Sequence, residues 1–216
     1  SYWQPLIGVI AVLSFGLGNL VAIAQENLKR MLAYSAIAHI GYALLGLSAG
    51  TATAYAMSLF YLLAYGLMAL TAFGLLVVVS KSGQVEAIND LRGLNARSPW
   101  LALVMLLAMF SMAGIPPTVG FFAKLGILLG LIGADQLWMA TLAIIFAIIG
   151  AYYYLNVIKV MYFEEPEPTL PRLMVAPDAY LALSINAILL LVLGLFPSQL
   201  MELAQTAFFT INHPVY

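Results

Sequence analysis

Six times along this chain an apolar run about as long as a bilayer is thick gives way to a short polar interruption. A membrane-spanning helix needs roughly 20 mostly apolar residues, and the runs at 5–24, 31–49, 52–79, 99–133, 136–162 and 179–197 provide them. The sequence therefore predicts an all-α polytopic membrane protein with six transmembrane helices. The stretches between them are Gln25 to Arg30, a turn near Gly50, Ser80 to Ser98, Ala134 to Gln136, and the acidic, Pro-rich Glu164 to Asp178. None is long enough for a separate soluble domain. Composition agrees, with 64% of residues hydrophobic and 8% charged, against roughly 25% charged in soluble domains. The opening, Ser1-Tyr2-Trp3-Gln4-Pro5, has neither a starting Met nor a charged signal-peptide region and reads as mid-protein.

The same scarcity of charge excludes several functions. A net charge of −1 leaves no basic surface for a polyanion, so nucleic acid is not an expected partner. With no Cys and only two histidines, His39 and His213, the chain cannot complete the ligand set of an iron–sulfur cluster or a structural zinc site. No metal and no bound cofactor are expected on it.

The fourth run is anomalous. As one continuous helix, 99–133 would extend about 50 Å, well beyond a hydrocarbon core of about 30 Å. At its centre stand Gly114, Ile115, Pro116, Pro117 and Thr118. Adjacent prolines remove two amide donors and clash with the preceding turn, so the helix must break there. The result is either one discontinuous span or a hairpin of two short ones. Cytoplasmic loops carry the Lys/Arg excess, and this separates the alternatives. A single broken span puts Lys29, Arg30, Lys81, Arg92, Arg97, Lys159 and Arg172 on one side, seven of the eight basic residues; a hairpin moves Lys159 and Arg172 across. The discontinuous span is the better reading, with basic loops cytoplasmic and both chain ends periplasmic.

The remaining cation, Lys124, lies inside the apolar half-helix after the break. Counted back from Asp135 it sits about 15 Å deep, near the bilayer centre, where a lysine costs roughly 2.5 to 3.5 kcal/mol on insertion scales and must face a partner or a wet cavity. A buried amine that can trade its proton suits a relay; the competing reading is a lysine paired permanently or snorkelling to an interface. The break itself, at Gly114, Pro116 and Pro117, would expose backbone carbonyls of the kind that line ion paths. His39 lies mid-span in the second run, with Ser35 and Tyr42 on the same helical face. Its two ring nitrogens can pass a proton between neighbours, although a histidine satisfied by packing would look the same. No carboxylate falls inside a span. Lys159, a turn inside the fifth span, is a further polar neighbour whose default is to snorkel. Gly46 to Gly50 and Gly126 to Gly130 have the spacing of close helix packing. Tyr152, Tyr153 and Tyr154 fit either a polar seam or an interface belt.

Three runs carry a resemblance. Gln25-Glu26-Asn27-Leu28-Lys29-Arg30-Met31-Leu32-Ala33-Tyr34-Ser35-Ala36-Ile37-Ala38-His39-Ile40-Gly41-Tyr42 is similar to the signature of the antiporter-like membrane subunits of respiratory complex I. Ser111-Met112-Ala113-Gly114-Ile115-Pro116-Pro117-Thr118-Val119-Gly120-Phe121-Phe122-Ala123-Lys124 and Tyr152-Tyr153-Tyr154-Leu155-Asn156-Val157-Ile158-Lys159-Val160-Met161-Tyr162-Phe163 follow in the family's order. Within the family the likeness is to the N type, since the M type carries glutamate where Lys124 stands. Two positions depart from the pattern: Ala36 replaces a common serine and Asn156 a common arginine.

The resemblance implies that the six spans are the last six of fourteen. Residues 1–163 would form the second of two inverted five-helix antiporter-like repeats, 164–178 a cytoplasmic loop, and 179–216 a final transmembrane helix with a periplasmic tail. It implies that Lys124 belongs to an outward half-channel and His39 to a central hydrophilic axis. It further implies a proton-translocating subunit of an NADH:quinone oxidoreductase in the cell inner membrane. NADH and quinone would be used by the complex, and the partners would be other complex I membrane subunits, the lipid bilayer and protons. The alternative is a subunit of a multi-subunit cation/proton antiporter or membrane-bound hydrogenase. A membrane scaffold with Lys124 and His39 merely satisfied is the third reading.

Overall fold

A computed structural model describes residues 2–80, 86–166 and 175–212, with the side chains of 209–212 left aside. Lys81, Arg172 and His213, counted above, lie outside the described residues. The chain runs through helices α1 (Trp3–Ile23), α2 (Leu28–Ala49), α3 (Ala52–Ser80), a 3-10 turn (Ile88–Leu91), α4 (Leu94–Arg97), α5 (Pro99–Ala113), α6 (Val119–Gly133), α7 (Leu137–Phe163), α8 (Pro177–Leu195) and α9 (Pro197–Asn212). Among the described residues the sole strand-like pairing is an isolated bridge between Asn27 and Ala87.

Five helices, α1, α2, α3, α7 and α8, are individually long and apolar enough to cross a bilayer, while α5 and α6, at 15 residues each, are not. The break thus falls where the double proline requires it. Local chemistry sets the other ends. The Asn27 side chain caps α2 by accepting from the Arg30 amide at 3.0 Å, and Gly50, with φ of 75°, closes it. Exposed positions on the helices carry large apolar side chains such as Leu6, Leu70, Ile148 and Leu181.

Contacts fix two ends of the bundle. At one end the Leu28 amide donates to Glu86 O, the Gly93 amide donates to Val160 O, and the Arg92 guanidinium pairs with Glu164 at 2.8 Å. Trp100 joins this end to the start of α8, its indole N–H donating to Ser184 Oγ at 2.8 Å. At the other end Gln136 donates to Ser48 O, Trp3 stacks on Tyr55, and Tyr55 lies against Phe208 of α9. The chain therefore enters α5 at the end holding Gly93 and leaves α6 at the end holding Gln136.

Glycines set how closely the helices approach. A Cβ at Gly41 would lie 2.6 Å from the Phe15 amide nitrogen, and one at Gly18 would lie 2.7 Å from that of Ala38, so α1 and α2 cross at backbone contact. Gly126 and Gly130 admit Met57 and Ala54, which is the packing use that their spacing predicts, whereas of Gly46 and Gly50 the first admits Ile127 and the second caps α2. Within the segment expected as a tail, residues 197–212 form an amphipathic helix, α9, whose Ala204 is fully buried and whose Phe208 packs on Tyr55.

Candidate functional site

The end of α5 is built by Gly114. Its φ of 84° suits a residue without a Cβ, and it closes a Schellman motif: the Ile115 amide donates to Phe110 O at 2.9 Å and the Gly114 amide to Ser111 O at 3.1 Å. A helix end leaves four carbonyls without intrahelical donors. The motif satisfies Phe110 and Ser111. The other two, Met112 O and Ala113 O, accept from Lys124 Nζ at 2.9 and 3.0 Å. Lys124 thus reaches from the second turn of α6 to cap α5, where a cation also meets the negative end of the helix dipole. Beyond Gly114, Pro116 and Pro117 are joined by a cis peptide bond, and the backbone of Pro117 and Thr118 packs against Gly194 of α8. The Gly120 amide, one of the free donors of α6, finds Ser111 Oγ at 3.2 Å.

On its open side the Lys124 ammonium lies 5.5 Å from the centroid of the Tyr42 ring, within the range of a cation–π contact. The hydroxyl of Tyr42 is held elsewhere, donating to Ala143 O of α7. The Tyr42 ring stacks on Tyr61, with centroids 5.9 Å apart. Tyr61 is the first partner of His39: its hydroxyl lies 2.7 Å from Nδ1, while the Tyr154 hydroxyl lies 3.0 Å from Nε2. Tyr154 continues to Ser35 Oγ at 2.7 Å. Tyr65 covers a face of the imidazole at 4.7 Å and 21°. Beside this group Tyr153 donates to Asn19 Oδ1 at 3.0 Å. All of these polar groups lie among membrane-spanning helices, and Ser35, His39, Tyr61 and Tyr154 are buried.

Of the residues singled out in the sequence, Ser35, His39, Tyr42 and Lys124 come together, and Gly114, Pro116 and Pro117 shape the link beside them. Lys159 does not join them. Its ammonium lies 3.7 Å from Glu164 at the far end of α7, and its side chain is exposed, as the snorkelling default requires. Of the three tyrosines, Tyr153 and Tyr154 lie in the seam and Tyr152 faces outward. Sequence reasoning missed Tyr61, Tyr65 and Asn19. The first two stand one turn apart on α3, and that spacing was the available signal.

A family model described as NADH:quinone oxidoreductase/Mrp antiporter, TM, matches residues 1–150. The NADH-quinone oxidoreductase subunit N of Thioalkalivibrio sulfidiphilus is 52% identical over 206 residues, covering 95% of this chain and 43% of that protein. The chain therefore spans less than half the length of the relative it matches. Among solved structures, a chain of respiratory complex I from Thermus thermophilus superposes with a TM-score of 0.78 at 33% identity, over 92% of this chain and 45% of that one. A chain of the Mrp complex from Dietzia sp. DQ12-45-1b gives 0.89 at 23% identity, over 99% and 48%, a likeness of fold alone.

Proposed function

Because this chain belongs to the NADH:quinone oxidoreductase/Mrp antiporter transmembrane family, we propose that it is part of a proton-translocating, non-redox membrane subunit of NADH:quinone oxidoreductase, in which Lys124 and His39 carry the proton. The observation that bears most weight is Lys124 itself. It is a lone intramembrane cation held by carbonyls, whose charge is met by a helix end and an aromatic face and by no carboxylate among the described residues. A lysine held this way keeps hydrogen bonds as an ammonium and as an amine, so it can lose its proton without the helix break collapsing. In this reading quinone reduction elsewhere in the complex shifts charge along the hydrophilic axis. The shift drives the Lys124 proton outward against a membrane potential worth about 2.3 kcal/mol per charge per 100 mV. His39, between Tyr61 and Tyr154, stores or passes the proton laterally.

The bundle ends support counting α5 and α6 as one interrupted span, which makes six, with residues 1–163 as a five-helix repeat, 164–178 as a cytoplasmic loop and 179–216 as the last span with its outer segment. Positive charge at Lys29, Arg30, Arg92, Arg97 and Lys159 gathers at one end of the bundle and supports a cytoplasmic face there. Partners are then neighbouring complex I membrane subunits and the lipid of the inner membrane, with NADH and quinone handled by other subunits. The 52% identity to a subunit N favours this reading over the antiporter alternative, for which the structural likeness reaches only the fold.

The test is Lys124→Ala in the full-length subunit within the assembled complex, measuring proton pumping together with coupled quinone reductase activity. Pumping should fall severely while assembly persists. Normal pumping would leave only the scaffold reading.

A further inference from the structure

His39 is gripped from both sides. Tyr61 of α3 meets Nδ1 at 2.7 Å, Tyr154 of α7 meets Nε2 at 3.0 Å, and the ring of Tyr65 lies stacked over the imidazole. A neutral imidazole has one N–H and one bare nitrogen, whereas an imidazolium has two N–H donors. Most protein partners satisfy just one of these states, because a carbonyl only accepts and an amide only donates. A hydroxyl does both. Resting on the relay reading above, we propose that Tyr61 and Tyr154 keep both nitrogens of His39 hydrogen-bonded in its neutral and charged forms, Tyr61 as a positioning residue and Tyr154 also as the group that hands it a proton, so that it takes up and releases a proton without moving.

Geometry defines each state. In the neutral form His39 donates to one tyrosine oxygen and accepts from the other hydroxyl. In the charged form it donates to both oxygens, and the Tyr154 hydroxyl turns to Ser35 Oγ, 2.7 Å away. A proton reaching Ser35 from the relay is balanced when Ser35 passes its own hydroxyl proton to Tyr154 and Tyr154 passes its own to Nε2. Both oxygens end with one proton, only O–H and N–H bonds change, and the imidazole gains one positive charge. The groups facing His39 are Tyr61 and Tyr65 from α3, Tyr154 from α7 and Lys124 from α6, with Tyr42 and Ser35 on its own helix.

The measurement is the pH dependence of coupled proton pumping by the assembled complex carrying full-length Tyr61→Phe or Tyr154→Phe. Each variant keeps the ring and removes one hydroxyl, so one nitrogen of His39 faces carbon. A charge-assisted hydrogen bond is lost from one protonation state more than from the other. Each variant should pump about twofold more slowly at the optimum, a loss no larger than that of His39→Ala, with its profile displaced by about one pH unit. Tyr152→Phe, on the outward face of the same helix, should match the unmodified complex. Should a phenylalanine variant fail to assemble, fluorotyrosine at the same position keeps ring and hydroxyl but makes the hydroxyl more acidic, and its profile should move too. Profiles that stay in place overturn the proposal. If they do so while Lys124→Ala abolishes pumping, the two-sided grip alone fails; if Lys124→Ala pumps normally, the relay reading fails and this inference with it.

Discussion

Gly114 shows how much of the site hangs on a single hydrogen atom. Its left-handed backbone disfavours any residue with a Cβ by roughly 1 to 2 kcal/mol, and that Cβ would stand 2.9 Å from Lys124 Cδ. Gly114→Ala should therefore push Lys124 off the Met112 and Ala113 carbonyls. It should lower thermal stability by about that amount and reduce pumping in the assembled complex; calorimetry or a dye-based melt alongside a pumping assay reads both. His39→Ala argues differently. It removes the imidazole but leaves Tyr61 and Tyr154 facing a space that water can bridge, so pumping should fall only in part, and undiminished pumping would make His39 a packing residue. Lys124, His39 and the prolines were legible in the sequence because each violates the apolar pattern around it. Tyr61 was not, and Tyr154 was legible only as one of two alternatives, since a tyrosine in a membrane span breaks no rule, and only the packing of α2 against α3 and α7 brings their hydroxyls to one ring.

At the scale of elements, the helices are set by apolar length and their spacing by glycine. At Gly18 and Gly41 the packing of α1 on α2 reaches backbone contact. Gly41→Ala places a methyl against the backbone of Phe15, and overpacking of that kind costs about 1 to 3 kcal/mol. Gly66 on α3 has open space where its Cβ would stand, so Gly66→Ala should be neutral or raise stability by up to about 1 kcal/mol through helix propensity. Melting of the two variants in detergent checks the contrast. Equal effects would mean that glycine content, and not close approach, sets the tolerance. The five long spans and the break are readable from length and from Pro116 and Pro117 alone. Helix α9 is not, because Pro197–Asn212 is too polar for a span and its order depends on burying Ala204 and docking Phe208 on Tyr55, contacts that exist only once α3 is in place.

For the whole molecule the decisive question is which way the chain runs through α5 and α6. A hairpin would return it to the end it left, placing Ala96 and Asp135 on the same side of the membrane. The contacts place them apart: α4, with Ala96, follows Gly93, whose amide donates to Val160 O at the basic end, while Asp135 precedes Gln136, which donates to Ser48 O at the other. Both residues are exposed, and the chain has no Cys, so a single cysteine at either position reports from an empty background within this stretch. With a membrane-impermeant maleimide, Asp135→Cys should label from the periplasmic side of intact inner membranes and Ala96→Cys only from the cytoplasmic side, in inverted vesicles. Labelling of both from one side would restore the hairpin. It would also send Lys159 to the opposite face from Arg92, breaking the one-sided distribution of positive charge on which the orientation depends. Labelling from opposite sides fixes Lys124 within a single crossing, at the depth where an interrupted helix can offer its free carbonyls to a buried ammonium.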